Sequence, residues 1–386
     1  MSFLNLIRHI GRLVNVSVRD LVAHLAGKLI APRPGIGMRG IIASVLCVAG
    51  AVTVPRASEV SIAARQSVLL QSPPRKVVVA TVCTWLGRQV NAEQRVAIID
   101  RYLLEAAAET KHRFPGKRLD LFVLPEIALQ RGGDTGRSIA DRALRLTDKA
   151  VRRVAALAAR QKTWLILPMY LAEDDEGREI YRNAAVLFDR NGEVAGIYRK
   201  MYPLTDRVGV VEKGVTPGRD ASVFTTDFGR VGIQICWDIA NEDGWSALAA
   251  NGAELVAFPS MSPQTIPLAW YARRHRYWIV SSNPRDNVTV YNPIGLADAQ
   301  ATKPGVLVHQ FDLVSAAIHW NPTIDEGRLF QRRYGERIGY AWSTREDTGL
   351  FWSNDPNLSI GAMMKELDQE QMDAQVERIR DAIGRH

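Results

Sequence analysis

Cys236 closes a short apolar run, Val231 to Ile235, and is followed by Trp237 and Asp238. The run reads as a buried strand, so the thiol stands where a strand gives way to a turn. Two earlier runs end alike. Leu121 to Pro125 delivers Glu126, and Val194 to Tyr198 runs on to Arg199 and Lys200. Open α/β sheets carry ligands at strand exits. A carboxylate, an ammonium and a thiol at three such exits are the parts needed to split an amide. A thiolate is a strong nucleophile, but a buried thiol resists ionisation. A nearby lysine ammonium favours the thiolate, and a carboxylate can accept the proton. Glu126 would serve as general base, then as acid to the leaving amine, then as base for water. Lys200 would lie beside the carbonyl oxygen, with the Trp237 backbone N–H as second donor. The scheme requires no cofactor. Each residue alone has a bland reading: core thiol, turn carboxylate, solvated lysine. Their shared placement carries the chemistry.

Strands and helices must position them. Lys76 to Val82 reads as a buried strand, and Asn91 to Glu109 as a helix with Val96, Ile99, Leu103 and Ala107 at helical spacing. Ser138 to Gln161 reads as one long helix and Trp245 to Asn251 as a shorter one. Trp164 to Tyr170 and Arg182 to Asp189 read as strands, and Asn191-Gly192 turns the second into Val194 to Tyr198. Val223 to Thr225 and Val231 to Ile235 form a hairpin about Asp227-Phe228-Gly229. Further strands fall at Leu255 to Phe258, Trp278 to Ser281, Val288 to Tyr291 and Val306 to Phe311. Strands alternating with helices, with hairpins between, predict an α/β layered domain with a mixed sheet. Beyond Asp312 the chain turns irregular and aromatic. It ends in a charged helix, Met364 to Ile383, whose apolar stripe suits packing or a subunit contact.

The 386 residues carry a net charge of +8, and residues 1–74 hold +6 of it. A basic leader on a nearly neutral domain is not a nucleic-acid-reading surface. Residues 1–37 have the spacing of an interfacial amphipathic stretch. Ile41 to Val54 is uncharged and mostly apolar, short for a membrane span and right for a signal-peptide core. Export, or membrane association through residues 1–54, is favoured over a cytoplasmic location. Residues 55–74 read as a linker ending in Ser72-Pro73-Pro74. The division expected is a leader over 1–74, a catalytic domain over 75–320 and an extension with a terminal helix over 321–386. Cys47, Cys83 and Cys236 make no disulfide framework, although a Cys83–Cys236 bridge, which would block the chemistry, is left open. The scattered histidines supply no metal site.

From about Lys76 to Asp312 the chain resembles the nitrilase, or carbon–nitrogen hydrolase, superfamily. The matching stretches are Leu124-Pro125-Glu126, Tyr198-Arg199-Lys200 and Ile235-Cys236-Trp237-Asp238. Arg182-Asn183-Ala184-Ala185, Asn191-Gly192, Gly252-Ala253-Glu254 and Phe258-Pro259-Ser260 support them. The resemblance implies an αββα sandwich that forms homodimers or higher oligomers, and a triad of Glu126, Lys200 and Cys236. Many members carry a second glutamate between the lysine and a Pro-Gly. Glu212, before Pro217-Gly218, is the candidate here, holding substrate or orienting Lys200. Cys236-Trp237-Asp238 is similar to amidases and carbamoyl-amine amidases, but Asn241 to Trp245 departs from their pattern, so the substrate is expected to differ. Trp342, Phe351 and Trp352, in the extension, either cap the pocket or pack a satellite core.

The expected function is hydrolysis of a non-peptide C–N bond, in a small linear amide or N-carbamoyl amine, through a thioester. The alternative is an N-acyltransferase that passes the acyl group to an amine, as the family's lipoprotein acyltransferases do. A nitrilase or a non-catalytic binding scaffold stands behind both.

Overall fold

A computed structural model of the chain describes residues 62–87, 90–130, 138–205 and 212–384. The expectations for the leader, residues 1–54, and for Cys47 lie outside the described residues. Among the described residues no helix is long and apolar enough to cross a membrane.

The described chain opens with helix α1, Ile62–Leu70, inside the stretch that the sequence reads as a linker. Two six-stranded sheets follow. The first comprises β1 Lys76–Cys83, β2 Leu121–Val123, β3 Trp164–Asp175, β4 Arg178–Phe188, β5 Val194–Arg199 and β12 Gly305–Asp312, in the order β12-β1-β2-β3-β4-β5. The second comprises β6 Val223–Thr225, β7 Arg230–Ile233, β8 Leu255–Pro259, β9 Trp278–Ser282, β10 Val288–Tyr291 and β11 Ala297–Ala301, in the order β11-β10-β9-β8-β7-β6. In each sheet the three central strands run parallel, β1, β2, β3 and β7, β8, β9, and the outer strands pair antiparallel.

Strand side chains alternate between faces, and here both faces are buried. Val77, Val79, Leu121, Val123, Ile166 and Leu187 of the first sheet meet Val231, Ile233, Leu255, Ala257 and Val280 of the second. The opposite face of the first sheet, with Val78, Phe122, Leu165 and Val186, packs on helices α2 Ala92–Arg113 and α3 Lys149–Gln161. Helices α4 Glu242–Ala250 and α5 Thr265–His275 cover the second sheet, where Trp245 and Leu268 lie over Val256, Phe258 and Ile279. The result is the αββα sandwich that the family resemblance implies, with two six-stranded sheets where the order of strands and helices predicts one mixed sheet. It places the ends of β2, β5 and β7 at one edge of the interface between the sheets.

Several local readings change. The helix expected from Ser138 begins only at Lys149. Leu144 instead bridges to Leu171, taking the Tyr170 carbonyl and giving its own to Ala172 N–H. The terminal helix is two, α7 Ile360–Glu366 and α8 Met372–Ile383, parted where Asp368 adopts a φ of 52°. The region past Asp312 is ordered by a third sheet, β13 Ser315–His319, β14 Ile338–Ser343 and β15 Thr348–Ser353, and by α6 Arg328–Tyr334. Phe351 is buried there beside Phe330, Ile360, Met363 and Leu70 of α1. Phe351 therefore packs a satellite core instead of capping the catalytic edge. Arg65 and Gln66 of α1 donate to the carbonyls of His275 and Arg276, which ties the helix to the end of α5.

Candidate active site

Three strand ends supply the chemistry. After β2, Leu124 N–H still reaches the Ile166 carbonyl, and Ile127 turns the backbone at a φ of 54°, leaving Glu126 buried. After β5, Lys200 N–H donates to the Asn183 carbonyl at 2.8 Å, so Lys200 keeps the register of β4. Gly218 crosses directly beneath. Its N–H donates to the Lys200 carbonyl at 2.8 Å, and a Cβ there would lie 2.1 Å from the Arg199 oxygen, so only glycine fits. After β7, Cys236 takes a φ of 45° and opens a 3₁₀ turn through Ala240. A non-glycine residue in this region is strained, and a nucleophile at a strand-to-helix turn is a recurrent place for such strain. Trp237 follows, and the first N–H groups of such a turn have no partner within it.

Asp238 holds the turn. One carboxylate oxygen accepts from the Tyr198 hydroxyl at 2.7 Å and from Ile235 N–H at 2.8 Å. The other accepts from Tyr202 N–H at 2.8 Å. Burial pushes its carboxyl up to about 6, against the hydrogen bonds from Ile235, Tyr198 and Tyr202 and the Lys200 charge. The thiol turn is thus fastened to the end of β5, the strand that delivers Lys200.

The carboxylates converge on Lys200. Its Nζ lies 3.1 Å from Glu126 Oε1 and 3.1 Å from Glu212 Oε2. Asn183 Nδ2 donates to Glu126 Oε1 at 2.8 Å and to Glu212 Oε1 at 3.1 Å. Glu126 Oε2 is buried and has no hydrogen-bond partner among the described residues. Burial works against the Lys200 ammonium, but Glu126 and Glu212 outweigh it and hold Lys200 charged above the usual lysine range. Lys200 is therefore held as an ammonium between the two carboxylates.

The Cys236 thiol is held above its ordinary range. Burial, then the Glu126 charge, push Cys236 up to about 12, opposed by Lys200, the Met261 N–H and the Ser260 hydroxyl. The Asp238 clamp, which ties the turn after β7 to the end of β5, puts Cys236 at the strand edge where Lys200 and Glu126 meet. Cys83 and Cys236 are free thiols, so no bridge blocks it. Among the described residues no group of histidine, cysteine and carboxylate side chains could hold a metal ion. A cavity of about 500 Å³ lined by Arg65, Arg75, Glu254 and Trp278 lies at the beginnings of β7 to β9, the end opposite Cys236.

Sequence reasoning named Glu126, Lys200, Glu212, Cys236 and Trp237; the first three are in contact, and Cys236 and Trp237 stand on the turn after β7 at the same strand edge. It assigned no role to Asn183, Ser260 or the Tyr198–Asp238 clamp. One signal was available for Asn183: it continues the face of β4 that buries Ala185 and Leu187, so it is an amide on an apolar stripe.

Two sheets back to back between helix layers, with a thiol, an ammonium and two carboxylates at one edge, define an αββα sandwich with a candidate site at its strand exits. The carbon-nitrogen hydrolase family profile matches residues 79–283. The chain belongs to the carbon-nitrogen hydrolase family, within the nitrilase superfamily. It is 27% identical over 183 residues to an N-carbamoylputrescine amidase of Arabidopsis thaliana, covering 39% of this chain and 60% of that protein. It is 33% identical over 98 residues to a citrullinase of Francisella tularensis, covering 25% of this chain and 33% of that protein. These matches thus span between a third and three fifths of the curated relatives. A Saccharomyces cerevisiae member of branch 10 of the superfamily shares the fold, with a TM-score of 0.53 at 18% identity over 69% of this chain and 96% of that one. A carbon-nitrogen hydrolase from Helicobacter pylori gives 0.52 at 18% identity over 62% and 90%.

Proposed function

We propose that this protein hydrolyses a small linear amide or N-carbamoyl amine through a thioester on Cys236, with Glu126 as proton carrier. The observation that carries the reading is the convergence of Glu126 and Lys200, 3.1 Å apart and buried, on the strand edge where the Cys236 turn is clamped, with Glu126 Oε2 left open. A thiol held near 12 cannot attack unaided at neutral pH. Glu126 Oε2 takes its proton as Sγ bonds to the carbonyl carbon. The developing oxyanion is stabilised by Lys200 and the Trp237 N–H. Glu126 then gives that proton to the nitrogen, and the C–N bond breaks to leave the thioester. Water attacks next: its proton goes to Glu126, the C–S bond breaks, and Glu126 returns the proton to sulfur. The acid leaves with the amine already released. Glu212 holds the far side of Lys200.

Amidases and a citrullinase among the relatives favour this substrate class. The departure at Asn241 to Trp245 leaves the particular amide open. The test is ammonia or amine release by the full chain across linear amides, N-carbamoyl amines and nitriles, with and without a second amine. Release without added amine, lost in C236A, is expected. Release that needs the added amine would favour acyl transfer, and activity surviving in folded C236A would end the proposal.

A further inference from the structure

Three buried side chains, Glu126, Asn183 and Lys200, and the half-buried Glu212 close a ring at this site. Lys200 touches Glu126 Oε1 and Glu212 Oε2, each at 3.1 Å, and Asn183 Nδ2 touches Glu126 Oε1 at 2.8 Å and Glu212 Oε1 at 3.1 Å. Both donors to Glu126 fall on the same oxygen, and Oε2 is the one left open. Carboxylate rotation about its last torsion is broad and two-fold. An ammonium alone, a compact charge with freely rotating donors, does not choose between the two oxygens. A planar amide fixed to a strand does. The Asn183 orientation follows from chemistry, because the flipped amide would aim its oxygen at two carboxylates.

Asn183 can hold that geometry because it cannot move. It is fully buried, and its backbone is paired to Tyr170 in β3 and, through its carbonyl, to Lys200 N–H. One rigid strand therefore sets both the amide and the lysine. Asn183 Oδ1 has no partner among the described residues, so the amide is kept there despite an unsatisfied buried acceptor. Such a group carries a desolvation cost, and a residue chosen for packing alone would be apolar, as Ala185 and Leu187 are on the same face.

We infer that Asn183 is a positioning residue for proton transfer: it fixes Glu126 so that Oε2 is the oxygen presented to the thiol, and it keeps the two carboxylates from sharing a proton. The inference rests on the role of Glu126 proposed above. The other titratable and charged groups facing the ring are Tyr170 of β3, Cys236 and Asp238 of the turn after β7, and Arg142 over the Tyr170 ring.

The test needs no substrate. The full chain, as wild type, N183A, N183D and E126Q, is alkylated with iodoacetamide across a pH series. The rate at Cys236 is read by peptide mass so that other thiols do not count. Melting curves report folding. Removing two donors from the carboxylates favours their protonation, so the acid limb of the alkylation profile in N183A should move up by about one pH unit. N183D, close in shape but a third carboxylate, should move it further. Folded variants whose profiles overlay the wild type would overturn the inference. So would loss of folding in both, since the residue would then be structural. If E126Q alkylates like the wild type at every pH, the base assignment itself fails, an outcome distinct from an unshifted N183A profile.

Discussion

Replacing Lys200 by methionine isolates the electrostatics of the site. Methionine matches the lysine stem, so the change removes a charge with little change of volume. Lys200 and Glu126 are both 2% exposed, and Glu212 is 16% exposed. Removing one partner of a buried ion pair leaves the other uncompensated and costs about 3–5 kcal/mol. Here one ammonium serves two carboxylates, which puts K200M toward the upper end. At ~2 °C for each kcal/mol in a body of this size, the melting temperature should fall by roughly 10 °C.

The pH dependence separates this from a packing defect. The folded-state pKa of Lys200 is raised, so its stabilisation is fully present below the unfolded lysine value and is lost only as pH climbs through the higher folded one. The wild type therefore keeps it from mildly acidic to mildly alkaline pH. In K200M the two carboxylates face each other with no cation, and their repulsion is relieved only by taking up a proton. The gap between wild type and K200M should be small at about pH 5 and wide at about pH 8. The nine tryptophans allow the melts to be followed by intrinsic fluorescence. A K200M melting temperature within about 2 °C of wild type at both pH values would refute the buried network.

E126Q should lose turnover by at least about a hundredfold, the contribution of a general acid–base, and E212Q by less, since Glu212 meets Lys200 from the far side. Equal, mild losses in an ammonia-release assay would mean that the base is misassigned. The raised carboxyl of Asp238 stabilises the fold below its unfolded value of 3.8, and that contribution is lost as pH rises through about 6. D238N should flatten this leg of the melting temperature against pH, whatever it does to the melting temperature itself, and an unchanged slope would show that Asp238 is not the titrating group.

The candidate groups were legible because each ends an apolar run, and the strand exits gather at one edge whatever the loops between them do. The layered α/β character was legible for a related reason: runs such as Lys76 to Val82 and Leu255 to Phe258 are apolar on both faces, as strands covered on both sides must be; the division of the strands between two sheets was implied only by the family resemblance. Boundaries set by single contacts were not legible. Leu144 and Leu146 fit a helical stripe, yet Leu144 is spent on backbone pairing with β3, and the helix waits for Asp148. The break between α7 and α8 turns on one backbone torsion at Asp368, a residue type that tolerates it without announcing it. Helix α1 reads as a linker because its anchors, Arg65 and Gln66, are polar side chains whose partners lie about 210 residues away. Asn183, noted only within the stretch Arg182 to Ala185, was given no role because a lone amide in a strand gains meaning only once Glu126 and Glu212 are seen beside it.

The central claim is that Cys236 becomes covalently acylated while Glu126 carries the proton. The most direct measurement is intact and peptide mass spectrometry of the full chain, quenched in acid during turnover of an amide found by the ammonia screen. The account predicts an adduct of the acyl mass on Cys236, absent from C236A and suppressed in E126Q. Steady turnover with no adduct on Cys236, or an adduct formed equally in E126Q, would contradict it.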